Sequence, residues 1–213
     1  MTPVLRWGRG LLKLELLRPR GSVSDRVSAP QGPVRVTGNQ ALSIVRPGAS
    51  VALAGAVTHE MRATLAIWGA RVIAEAPDWK PDPGDLVRTL GAELLEQVVE
   101  APPFLFCPAG ESAALAGALQ ALRTRWPAVR GVALLAADQE LPDLPSRAGL
   151  PREIEVVKVG FAEAARARAR VGRELGLLAN HAGAAAAELA HDRGGVAIVT
   201  ALGEREFSLE ARK

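Results

Sequence analysis

The feature that most constrains this sequence is a repeated alternation. Apolar runs of strand length take turns with longer segments whose apolar residues recur at helical spacing. LLKLELL (11–17), PVRVT (33–37), SVALAGA (50–56), ARVIAEA (70–76), PFLFC (103–107), GVALLAA (131–137), EIEVVKV (153–159) and GVAIVTA (195–201) read as strands. Residues 58–69, 85–100, 111–125, 161–175 and 182–192 read as helices. Several strands are apolar throughout rather than at alternate positions, as burial on both faces requires. This alternation predicts an α/β fold with a largely parallel sheet.

Two Pro-rich stretches interrupt the pattern. APDWKPDPGD (76–85) is expected to cross between subdomains, and ELPDLPSRAGLP (140–151) to form a surface loop. The alanine-rich segment 182–190 predicts a helix packed closely on a neighbour. At 213 residues and 48% apolar composition the chain can bury a sizeable core. No apolar run reaches the ~18 residues of a spanning helix, so no membrane association is expected. MTPVLRWGRG has charges and no apolar core ahead of a small-residue cleavage site, so no signal peptide is expected. A single cysteine, Cys107, excludes an internal disulfide, and a cytoplasmic location follows as the expectation. The net charge is +3, with 22 arginines to four lysines, no tyrosine and 4% aromatics. That is too few aromatics for a base-stacking surface, and no nucleic-acid partner is expected. No His, Cys, Asp or Glu spacing suggests a metal site.

Seven stretches, in order, resemble the fold-type II pyridoxal-phosphate enzymes, and cysteine synthase most closely. LKLELLRPRGSVSDR (12–26) is similar to that family's strand, turn and helix start, which usually ends in GS, an apolar residue and KDR. VTGNQA (36–41) resembles its Ser-Gly-Asn loop, and 57–73 the helix and strand ending in "GA-x-V-I". RTLGAELLEQ (88–97), GESAALAG (110–117), ANHAGAAAAELA (179–190) and GEREFS (203–208) resemble the later motifs. The resemblance implies two three-layer α/β subdomains with mainly parallel sheets and a cleft between them. Residues 1–32 with 84–213 would form the larger subdomain, and 33–83 a smaller one that is cut down. Only seven residues separate Arg26 from Val34, and Arg46-Pro47-Gly48 cuts the next helix short.

The departures from the family pattern bear on chemistry. The family lysine that joins the cofactor aldehyde as a Schiff base is Ser24 here, and a hydroxyl cannot form an imine. Lys13 and Lys80 are the alternative amines. The glycine-rich phosphate turn becomes Gly110-Glu111-Ser112-Ala113-Ala114. A carboxylate there opposes an anion: two like charges ~4 Å apart cost ~4 kcal/mol at an effective dielectric of ~20. At a helix start, Glu111 is also an ordinary dipole-matched residue. The serine that meets the ring nitrogen in the cysteine-synthase branch is Leu202. Asn39 survives, either as the family's ring-hydroxyl contact or as the cap of a Gly-Asn turn. Asp25 and Arg26 survive as helix-start and ion-pair residues. His181 falls near a family serine and reads as a packing or surface residue, with a ligand role as the alternative.

Ser24, His59, His181 and His191 meet no G-x-S-x-G elbow, so no hydrolase is read. Cys107 reads as a small buried hydrophobe. Arg166, Arg168, Arg170 and Arg173 read as a solvated, carboxylate-paired helix face. The resulting expectation is a catalytically inactive cysteine-synthase-like protein, without bound pyridoxal phosphate, acting as a scaffold, regulator or partner-binding protein. Its expected partner is a second copy or a paralogue. Two alternatives stand: a family-type lyase or transferase holding the cofactor non-covalently, and a small-molecule sensor reusing the cleft.

Overall fold

The computed structural model describes residues 1–18, 23–27, 30–37, 41, 47–54, 59–79, 82–137 and 154–201. A six-stranded sheet forms the centre. It contains β1 (Val4–Trp7), β2 (Gly10–Leu14), β6 (Phe104–Pro108), β7 (Arg130–Ala136), β8 (Glu155–Val159) and β9 (Gly195–Val199), in the order β1-β2-β9-β6-β7-β8. All neighbours run parallel except β1, which pairs antiparallel with β2 across a tight turn at Gly8. A second, three-stranded parallel sheet is formed by β3 (Val34–Thr37), β4 (Ser50–Ala54) and β5 (Arg71–Ile73). It is packed with helix α1 (His59–Ile67) around Val36, Val51 and Leu65. The parallel α/β architecture expected from the sequence is therefore present.

Strand alternation sorts the large sheet into two cores. Leu12, Leu14, Phe104, Phe106, Leu134, Ala197 and Val199 point to one face, under α5 (Phe161–Leu175) and α6 (His181–Arg193). Leu105, Cys107, Ala133, Leu135, Val196 and Ile198 point to the other. That face is covered by α2 (Pro83–Leu86), a π-helical turn (Val87–Gly91), α3 (Ala92–Gln97) and α4 (Ser112–Arg125). Trp79, in the connection between the sheets, packs on both the second core and the small-sheet core.

Three sequence expectations shift in detail. The strand expected over 11–17 ends at Leu14, and Glu15–Leu17 turns as a short 3₁₀ segment. The helix expected over 85–100 is interrupted by the π turn. Strand β1 was not expected: VLRW is short and carries a charge. The alanine-rich helix α6 packs as closely as its composition requires. A methyl group added at Gly10 of β2 would lie 2.5 Å from the Ala190 backbone, so neither surface has room for larger side chains.

Candidate functional site

The carboxyl ends of the parallel strands open on one edge of the large sheet, where α/β proteins seat their ligands. Glu15 follows β2, Thr200 follows β9, and Ala109–Glu111 follow β6. The turn Val23–Arg26, which contains the backbone of position 24, is anchored by the buried side chains of Val23 and Arg26.

Arg26 is the centre of this region. Its Nε and Nη2 donate to the two oxygens of Glu15 at 2.7 Å each. Its Nη1 and Nη2 donate to the two oxygens of Glu93, on α3, at 2.9 and 2.8 Å. A planar guanidinium suits two such forks, and an ammonium does not. Nη2 also donates to the Thr2 hydroxyl at 2.9 Å, which in turn donates to Glu15 at 2.5 Å. The side chains of Arg26 and Glu15 are 1% and 0% exposed. Burial opposes the Arg26 charge, but the bonds from Glu15 and Glu93 raise its pKa above the usual arginine range.

Lys13 belongs to the same network. Its Nζ donates to the Thr2 carbonyl at 2.6 Å, to Glu93 at 2.7 Å and to the Gln97 side-chain carbonyl at 2.5 Å. An ammonium has three protons, and all three are engaged. Burial pulls the Lys13 pKa below the usual lysine range, with Glu93 opposing. A lowered pKa is also what a reactive lysine shows, so geometry decides: this nitrogen is locked between acceptors. Burial pushes the Glu93 carboxyl up, but hydrogen bonds from Arg26 and Lys13 outweigh it and hold it well below the usual carboxylate range. Lys158 is exposed on edge strand β8, a placement that discourages strand addition. Lys80 lies outside the described residues.

The turn after β6 is built differently. Ala109, Ala113 and Ala114 are buried, Gly110 is exposed, and Ser112 opens α4. Glu111 stands at the N-cap of this 14-residue helix, and its side chain makes no capping bond. Its carbonyl accepts from the Cys107 thiol at 3.6 Å. Burial pushes the Cys107 thiol well up, and the Glu111 charge adds to this, so the sulfur is a neutral core group rather than a nucleophile. Beyond β9, Asn180 caps α6: its side-chain oxygen accepts from Gly183 N–H at 2.5 Å, and its amide donates to Thr200 Oγ1 at 2.8 Å. His181 is buried, its ring 5.2 Å from that of Phe161. Asn39 and Leu202 lie outside the described residues. Among the described residues no cluster of three or more His, Cys, Asp or Glu could hold a metal ion, and no helix is long and apolar enough to cross a membrane.

The ion-pair role of Arg26 was legible in the sequence; its partners Glu15, Glu93 and Thr2 were not. The only signal was that Lys13, Glu15, Arg26 and Glu93 all fall inside quoted motif stretches.

No family model matches the chain, and no curated protein matches it. Solved structures do. O-ureido-L-serine synthase superposes with a TM-score of 0.70 at 19% identity, over 97% of this chain and 90% of that one. O-acetylserine-dependent cystathionine β-synthase from Helicobacter pylori gives 0.75 at 15% identity, over 97% and 94%. The chain has the cysteine-synthase fold. A hydrogen sulfide-producing enzyme from Fusobacterium nucleatum shares this fold at a TM-score of 0.72 and 14% identity, over 96% and 94%. A lysine-to-alanine variant of O-ureido-L-serine synthase, with O-ureido-L-serine bound, superposes at 0.72. The fold-type II arrangement implied by the sequence resemblance is thus the observed one.

Proposed function

We propose that this chain is a catalytically inactive member of the cysteine-synthase fold, serving as a scaffold or partner-binding protein. One observation carries the reading: the motif's serine at position 24 offers no amine, and all three protons of Lys13 are committed to Thr2, Glu93 and Gln97. The residues present fit pyridoxal phosphate poorly. Attachment needs a nitrogen nucleophile at the Val23–Arg26 turn. The phosphate needs backbone N–H groups and a positive helix end, and at α4 that end carries the Glu111 carboxylate.

The test is turnover. Purified protein with excess pyridoxal phosphate, O-acetylserine and sulfide should form no cysteine above the protein-free control. Product formation that depends on the protein defeats the reading. Sedimentation of the pure chain addresses the partner: a concentration-dependent dimer supports self-association, and a monomer directs the search to a paralogue.

The ligand-bound lysine-to-alanine structure favours a second reading, a small-molecule sensor, because that relative holds a ligand with a lysine removed. Thermal shift with amino acids separates it from a pure scaffold. A ligand at ~100 times its dissociation constant adds ~2.7 kcal/mol, and a scaffold shows no shift.

A further inference from the structure

On the opposite face of the large sheet, the β1–β2 hairpin is fastened to α5 and α6 by one shared group of side chains. Trp7 donates its indole N–H to Glu174 at 2.9 Å. The Arg170 guanidinium lies 5.0 Å from the Trp7 ring centre and donates to Glu174 at 2.9 Å and Glu188 at 3.4 Å. The His191 ring sits 4.7 Å from that of Trp7. Its Nε2 is 3.3 Å from Arg170 Nη2, and its Nδ1 is 2.6 Å from Asp192 Oδ1. The hairpin turn closes over it: Arg9 N–H donates to the His191 carbonyl at 3.1 Å, and Arg9 Nη1 to the Asp192 carbonyl at 3.4 Å. A methyl group added at Gly8, where φ is +56°, would lie 2.3 Å from His191 Cδ2.

A guanidinium can only donate. Nε2 must therefore accept from Arg170, which leaves the ring proton on Nδ1, donated to Asp192. We propose that His191 is a proton-operated latch for the β1–β2 hairpin. The neutral ring accepts from Arg170 and holds the Trp7–Arg170–Glu174 stack in place. A proton added at Nε2 removes that acceptor and sets two cations against each other. The charged groups facing the ring are Arg170 and Glu174 from α5, Glu188 and Asp192 from α6, and Arg9 from the hairpin turn. Arg170 Nη2 then loses its acceptor on the ring and is repelled from its place beside Trp7 and His191. Glu174 does not titrate in competition, because hydrogen bonds from Arg170 and Trp7 hold its carboxyl below the usual range.

Two measurements on the intact chain test this. Nitrogen-edited NMR of the imidazole at about pH 8 should show the Nδ1–H tautomer of His191; the Nε2–H tautomer overturns the proposal. Hydrogen exchange of residues 4–14, corrected for its intrinsic pH dependence, should quicken about tenfold between about pH 8 and pH 5. In His191→Gln that quickening should vanish. No quickening in the native chain, or its persistence in His191→Gln, contradicts the latch. Should the variant fail to fold, the tautomer in the native chain decides.

Discussion

Lys13 and Glu111 lie at the carboxyl ends of β2 and β6, separated by β9 in the same sheet, and their surroundings differ in kind. Around Lys13 two cations and two carboxylates are interlocked with Thr2 and Gln97, each charge matched by an opposite one within 3 Å. Around Glu111 the neighbours include buried alanines and a neutral thiol. The first region keeps the motif residues that hold the fold together. On the function proposed above, the motif persists as architecture without its chemistry, because a buried ion network is costly to dismantle one member at a time.

The largest expected effect is on the network. Arg26→Ala strips buried Glu15 of its forked cation and leaves Glu93 with Lys13, and the loss should be about 3–5 kcal/mol by urea unfolding. A loss below about 1 kcal/mol would mean the network is not structural. Arg26→Lys should rescue only part of this, since an ammonium cannot serve both forks. Next is Gly10→Ala, which drives a methyl group into the Ala190 backbone and should cost about 1–3 kcal/mol. An unchanged midpoint would show that α6 can move away from β2.

Acid stability sharpens the comparison further. The folded pKa of Glu93 is depressed, so the unfolded chain binds more protons as pH falls below about 4.5, the ordinary value of this carboxyl. The contribution of Glu93 is fully present above that value. It is lost as pH drops toward the depressed folded pKa. Glu93→Gln should flatten this acid limb; an unaltered limb would place the acid sensitivity elsewhere. The smallest effect on stability belongs to Glu111→Gln, at about 0.5 kcal/mol or less for a half-exposed residue. Its informative readout is affinity for inorganic phosphate, which should rise. If it does not, the Glu111 charge is not what opposes an anion at this turn.

The two regions were also unequally legible in the sequence. The strands of the large sheet were readable because both faces are covered, which makes runs such as PFLFC and GVAIV apolar throughout. LLKLELL ran on too far as a strand because Leu16 and Leu17 continue the apolar run. What ends the strand is Glu15, whose buried partner Arg26 lies 11 residues away. Strand β1 is not legible in the sequence because its pairing with β2, not its composition, makes it a strand. The substitutions at positions 24 and 111 could be read directly, since they are single residues inside recognisable stretches. The network could not be: Lys13 meets Glu93 across 80 residues of sequence, a separation no local pattern records. The commitment of Lys13, which decides whether another amine could serve, therefore became visible only with the fold.

The central claim is that Lys13, the lysine this region holds among the described residues, is not available to an aldehyde. Incubation with pyridoxal phosphate, borohydride reduction and peptide mapping test it on the native chain. The account predicts no stoichiometric adduct on Lys13. A one-to-one adduct on Lys13, formed with the protein folded, would contradict it.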